Sequence, residues 1–253
     1  MFKLRVILCC TLLAVMALPA FADEMVSLKV GYQSLTPSGT LAGNQNGVGT
    51  QIDVEKDLNF DDSEDLTAEI AFQLGISRLS LNYLPVEYSG TGSFNGTYNG
   101  QSFTFNDAVQ SKVKLNIYDI GYTLNLINLD DLPVRIQLGP EIAVKVVDAE
   151  VDFKATGPGV SINESDSATV PIPTLGARAR FGFSDFVAVV ARAGYMEYDG
   201  NSFLDAEAQV EFSPLPLVGI YAGYRTFQLK VDESDLALDV DFSGPFVGAL
   251  VRF

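Results

Sequence analysis

The sequence predicts an all-β fold: a closed antiparallel up-and-down transmembrane β-barrel of ten strands, with eight or twelve as the alternatives. Three observations predict it. Apolar and polar residues alternate in ten separate stretches, long and short connections mostly alternate between them, and no segment past the N-terminal leader holds a 3.6-residue period or a membrane-helix length of apolar residues. Strict alternation puts the two residue sets on opposite faces of a strand.

The chain opens with Lys3 and Arg5, an apolar run from Val6 to Leu18, and Pro19, Ala20, Phe21 and Ala22. Positive start, short apolar core and Ala-x-Ala end predict a secretory signal peptide over residues 1–22, leaving the barrel over 23–253. The run falls short of the roughly 20 residues a membrane helix needs. Cys9 and Cys10 both lie in the leader, so the mature chain is expected to carry no thiol. With Lys3 and Arg5 removed, 14 basic residues face 32 acidic ones and the net charge moves from -16 to -18.

The strands follow in order. Val26, Leu28, Val30 and Tyr32 alternate with Ser27, Lys29, Gly31 and Gln33, and Ala68, Ile70, Phe72 and Leu74 with Thr67, Glu69, Ala71 and Gln73. Next come Leu79, Leu81 and Tyr83; Val113, Leu115 and Ile117; and Val134, Ile136, Leu138, Ile142 and Val144. The sixth to eighth are marked by Leu175, Ala177, Ala179, Phe181 and Phe183; by Val187, Val189, Ala191, Ala193 and Tyr195; and by Leu204, Ala206, Ala208, Val210 and Phe212. Val218, Ile220, Ala222 and Tyr224 mark the ninth, and Val247, Ala249, Val251 and Phe253 the last. The fourth changes phase near Tyr118 to Tyr122 and the tenth near Asp241 to Pro245, where a bulge or the membrane edge is expected. Short turns at 75–77, 125–132, 184–185 and 213–216 belong to one rim, and long polar loops at 36–64, 91–107 and 156–168 to the other, the asymmetry expected of an outer-membrane barrel. The segment Thr50 to Phe60 either adds a strand pair or extends a hairpin.

Charges of both signs share the polar face with glycines, which weaken a strand unless crowding demands them. A narrow interior supplies that crowding: ten strands about 4.7 Å apart and tilted roughly 40° close at a radius of about 10 Å. The expectation is an inward ion-pair network of Arg135, Glu141, Lys145, Arg178, Arg180, Arg192, Asp205, Glu207, Glu211 and Arg225, with Lys29 and Glu69 on the same face. Seven bases and five acids nearly balance, so most of the acid surplus falls to loops and rims.

Phe253 ends the chain with Val251, Ala249 and Val247 at two-residue steps before it. This resembles the C-terminal assembly signature of Gram-negative outer-membrane β-barrel proteins, and the mature chain is similar in architecture to their small, functionally uncharacterised members. The resemblance implies residence in the bacterial outer membrane after export, contact with outer-membrane lipids, and recognition by the barrel assembly machinery. With no Trp in the chain, any interfacial girdle is built from residues such as Tyr32, Tyr83, Tyr122, Tyr195, Tyr224 and Phe253.

The chain has no histidine. Ser-His-Asp and Cys-His nucleophiles, His general bases and His-ligated zinc are excluded. Outer-membrane phospholipases, lipid A deacylases, palmitoyl transferases and omptin-type proteases use a catalytic His, so none of those mechanisms transfers, and no enzyme activity or cofactor is expected. A carboxylate pair drawn from Glu141, Asp205, Glu207 and Glu211 would need an open cleft; ion pairing with the inward arginines is the better account. The acid excess argues against nucleic acid. Acidic loops, at Asp53, Glu55, Asp57, Asp61, Asp62, Glu64 and Asp65 and at Asp232, Glu233 and Asp235, suggest divalent cations as partners, although the EF-hand spacing fails. The leading expectation is a structural or surface-interaction barrel. A narrow, porin-like channel for small solutes is the alternative, and a soluble ligand-binding barrel comes third.

Overall fold

The computed structural model describes residues 25–253 except 46–47, 93–95, 99–100, 104–107, 130–133, 158–159, 216 and 234–235. The signal peptide expected over residues 1–22 lies outside the described residues. Ten strands make the wall: β1 (Val26–Gln45), β2 (Ser63–Leu74), β3 (Ser77–Gly92), β4 (Ala108–Leu124), β5 (Arg135–Gly157), β6 (Val160–Gly182), β7 (Val187–Tyr198), β8 (Asn201–Phe212), β9 (Val218–Glu233) and β10 (Leu236–Arg252). Each pairs antiparallel with its sequence neighbours, and β10 returns to β1 over Ser27↔Arg252 to Gly43↔Leu236, which closes the ring. Reciprocal backbone hydrogen bonds between Val26 and Phe253 finish the seam at 3.0 and 2.8 Å. Closure leaves no edge in the spanning part, the condition for strands to cross lipid.

Leu28, Val30, Phe72, Leu79, Leu81, Ile120, Ile142, Leu175, Val210, Ile220 and Val247 are exposed on the outer wall, while Lys29, Asp119, Glu141, Lys145, Arg178, Arg192, Asp205 and Glu211 are buried within. This is the polarity of a membrane barrel, apolar where it meets hydrocarbon. Exposed aromatics sort by height. Tyr32, Tyr83, Tyr118, Tyr195 and Tyr224 ring the wall toward the long-hairpin rim, whereas Phe72, Phe181, Phe183, Phe186 and Phe212 gather at the short-turn rim with Tyr122. Hydroxyl-bearing rings thus mark one interface, and plain rings predominate at the other.

Two expectations need correction, and two that were open between alternatives are resolved. The register of β4 on β5 runs unbroken from Ala108↔Thr156 to Thr123↔Glu141, so there is no bulge at Tyr118 to Tyr122. Val113, Leu115 and Ile117 face inward in line with Asp119; the interior changes polarity and the strand does not change phase. In β10 the register with β1 keeps one offset across Asp241 to Pro245, which leaves the membrane edge as the cause there: Val240 and Phe242 point in, and Asp239 is exposed. The loop expected over 156–168 is mostly strand, because β5 and β6 each run 23 residues and pair as far as Gly157↔Val160. Its polar sequence lacks the alternation, and Ser165 to Ala168 are exposed although their backbone stays paired with β5. The segment 50–60 extends the β1 hairpin: Val48–Asp53 pairs back onto Thr40–Gln45.

Candidate functional site: the barrel interior

Alternation aims every second side chain of each strand at the axis, so the interior is assembled from all ten strands at once. At mid-height lies a four-residue ion cluster. Lys145 Nζ on β5 is 3.2 Å from Asp119 Oδ2 on β4 and 2.9 Å from Asp205 Oδ2 on β8. Arg192 on β7 donates through Nη2 to the same two oxygens, at 2.7 Å for Asp205. Glu141 accepts from Thr123 Oγ1 at 2.7 Å and lies 3.8 Å from Arg192 Nε. Arg225 on β9 is clamped to Glu207 by Nε and Nη2, and its Nη1 donates at 3.0 Å to Gln33 Oε1 on β1. Taking such ions out of water costs several kcal/mol each, which only this density of partners offsets.

Toward the short-turn rim, Glu211 gathers cations. Lys29 is 3.2 Å away, Arg180 3.5 Å, Arg252 donates to its Oε2, and Gln209 Nε2 donates to its Oε1 at 2.9 Å. Glu69 takes Arg78 at 2.7 Å and Lys29 at 3.8 Å. Arg178 is buried beside these groups, and its Nη1 has no hydrogen-bond partner. Arg135 stands apart: it reaches down to Asp185 in the β6–β7 turn, 2.7 Å away at the rim. Crowding accounts for two inward glycines here, since a Cβ on Gly31 or Gly248 would collide with the hydroxyl of Tyr221.

Toward the other rim the interior turns mainly apolar. Leu35, Leu84, Val86, Tyr88, Ile117, Ile172, Phe203 and Phe227 form a buried apolar cluster, and Phe60, Val147, Met196, Leu229 and Phe242 pack against it. Tyr88 links the layer, with its ring 6.0 Å from that of Phe60 and 5.3 Å from that of Phe242. Arg225 marks the seam, its guanidinium 4.9 Å from the ring of Phe246 and 5.8 Å from that of Phe227. Above the cluster the segment 54–60 folds across the mouth with Val54 and Leu58 buried. Its backbone occupies the space where a Cβ of Gly90 or Gly92 would sit, and Phe60 bridges to Gly90.

Of the acidic loop, Asp53 accepts from the amides of Glu55 and Lys56, and the amide of Asp53 donates to Asp57 Oδ2 at 2.7 Å. The Lys56 ammonium holds the Asp53 carboxyl below the usual carboxylate range. These oxygens serve their own turn, and no group of three or more candidate metal ligands converges among the described residues.

Ten residues expected to form one network thus divide. Glu141, Lys145, Arg192, Asp205, Glu207 and Arg225 meet at the centre, Arg180 and Glu211 meet lower down, and Arg178 and Arg135 make no direct contact with either group in the ion pairs described. Sequence reasoning missed Asp119, Arg78 and Arg252. Parity alone would have found all three: they alternate with Tyr118 and Ile120, with Leu79, and with Val251, all on the outer face.

No protein-family model and no curated protein sequence matches the chain. Among solved structures, the outer membrane protease OmpT from Escherichia coli matches with a TM-score of 0.58 at 9% identity, over 94% of this chain and 99% of that one. Looser matches are the translocator domain of the autotransporter NalP from Neisseria meningitidis, at TM-score 0.46, 14% identity and 98% and 96% coverage, and the attachment invasion locus protein Ail of Yersinia pestis, at 0.38, 11%, 90% and 99%. The fold is that of the bacterial outer-membrane β-barrels.

Proposed function

We propose that this protein is an integral outer-membrane barrel whose interior is a plug rather than a pore, with a structural or surface-interaction role. The observation that carries this reading is the continuity of the filling: ion pairs at mid-height, an apolar layer above them, and the 54–60 segment over the mouth. A solute would have to break buried ion pairs and cross a dry layer. Short turns conventionally face the periplasm, so the long hairpins and their acids meet the outside, where lipids, divalent cations or a surface partner would be engaged. Val247, Ala249, Val251 and Phe253 lie on the lipid side of the closing strand, an arrangement that suits recognition by the assembly machinery during export. The lack of His supports a non-enzymatic role.

Planar-bilayer recording tests the plug. The wild type and Arg192→Ala are expected to be electrically silent under moderate voltage, and steady ion-selective steps from the wild type would establish the narrow-channel reading instead. Heat-modifiable gel migration checks the barrel. Deletion of Phe253 is expected to lower the amount of folded protein in the outer membrane without altering its synthesis.

A further inference from the structure

We infer that the lower interior, below the central ion cluster, is a binding site for a small inorganic anion that enters from the short-turn rim. Charge accounting points there first. Among the described residues, five buried or nearly buried bases, Lys29, Arg78, Arg178, Arg180 and Arg252, share this segment with two carboxylates buried to a similar degree, Glu69 and Glu211. Counting Glu141, which the central Arg192 also approaches, still leaves five against three. A low-dielectric chamber with this surplus is destabilised by its own repulsion unless a counter-anion enters.

Arg178 supplies the second, independent observation. It is 7% exposed, and its Nη1 finds no acceptor among the described residues. Its electrostatic neighbours are another guanidinium, Arg78, together with Glu69, Glu211 and Glu141. Glu69 is already held by Arg78 and Lys29, and Glu211 by Lys29, Arg180 and Arg252, so neither has an uncommitted charge to offer. A buried guanidinium fork with an idle N–H fits an oxyanion geometrically as well as electrostatically. Access exists. A narrow cleft at the short-turn rim is lined by Arg135, Arg180, Ser184, Asp185, Glu211 and Arg252, and Arg178 is the next inward residue above Arg180 on β6.

The test uses the full mature barrel in zwitterionic detergent, with inorganic phosphate as probe and chloride and acetate at matched ionic strength for comparison. Phosphate is expected to give saturable heat in calorimetry and to raise the unfolding temperature of the wild type. Arg178→Gln and Arg180→Gln are expected to weaken phosphate binding at least tenfold, while the exposed Lys112→Gln is expected to leave it unchanged. In buffer without phosphate, Arg178→Gln is expected to unfold at or above the wild-type temperature, because it removes an unsatisfied buried cation; phosphate should reverse that order. Equal responses to phosphate, acetate and chloride would show screening only and overturn the site. Undiminished phosphate binding by Arg178→Gln would overturn its placement, and both results are independent of whether the barrel conducts.

Discussion

The two halves of this barrel use the same strands in opposite ways. In the lipid belt the outer wall carries Leu81, Ile120 and Ile220 and the interior carries Asp119, Lys145 and Arg192. Above it the interior carries Leu84, Val86 and Phe227, while outward positions hold Glu87, Lys112 and Lys230. Strand parity never slips between the halves, as the unbroken β3–β4 and β4–β5 registers require. What inverts is the solvent. Hydrocarbon surrounds the lower half, so its polar residues turn inward and pair; water surrounds the upper half, which folds around an apolar core as a soluble barrel would. An outer-membrane strand of sufficient length is therefore two amphipathic strands in series, of opposite sense on one backbone.

The contrast can be broken most severely at the central cluster. Arg192→Ala strands Asp119 and Asp205 against a single lysine and is expected to cost about 3–5 kcal/mol, read from urea unfolding in detergent; combined replacement of Asp119, Lys145, Arg192 and Asp205 by apolar residues of similar volume should restore most of it. A second break goes to the upper core. Leu84→Ala opens a cavity and is expected to cost about 2–5 kcal/mol, with amide exchange accelerated above the belt and the belt itself still protected. Lipid-side polarity is third: Leu81→Arg is expected to cost about 2–4 kcal/mol near the bilayer midplane and less toward an interface. A substitution at Glu87, outward on the same strand, should be almost silent.

Alkali separates the halves more gently. Burial, with Asp62, Asp65 and Asp241 nearby, raises the Tyr88 phenol well above its ordinary value. The folded state then holds the proton more tightly than the unfolded one. Its stability contribution is intact below about pH 10 and declines as pH rises beyond that ordinary value. Absorbance titration should show a late-forming tyrosinate that is lost in Tyr88→Phe, and Tyr88→Phe should remove that alkaline loss. The smallest effect belongs to the exposed Lys112–Glu87 pair, 2.7 Å apart; a double-mutant cycle is expected to give about 0.2–1 kcal/mol, falling with salt.

Much of the wall was legible because alternation is a local property. Each of the ten apolar series coincides with a wall strand, Val134, Phe183 and Phe253 lying one residue beyond the strand ends, and the inward set from β5 to β9 could be read from parity. Legibility failed where apolar was equated with outward. Val113, Leu115 and Ile117 form an apolar series like the others yet face the interior, so the polarity change beside Asp119 mimics a change of strand phase. Which charges meet was equally hidden. Arg192 reaches across to Asp119, 73 residues away, besides Asp205 on the neighbouring strand, and Arg178 finds no such partner.

By itself the sequence determined the fold class, the strand order, the inward-facing positions of the belt and the chemistry that a chain without histidine cannot perform. These follow from side-chain period and composition, which need no knowledge of distant residues. Only the tertiary structure decided where the solvent inverts, that the 54–60 segment covers the mouth, and which inward ions pair and which is left over. Those depend on barrel closure, which brings strands far apart in sequence to a common axis and sets the height at which each side chain meets lipid, water or another charge.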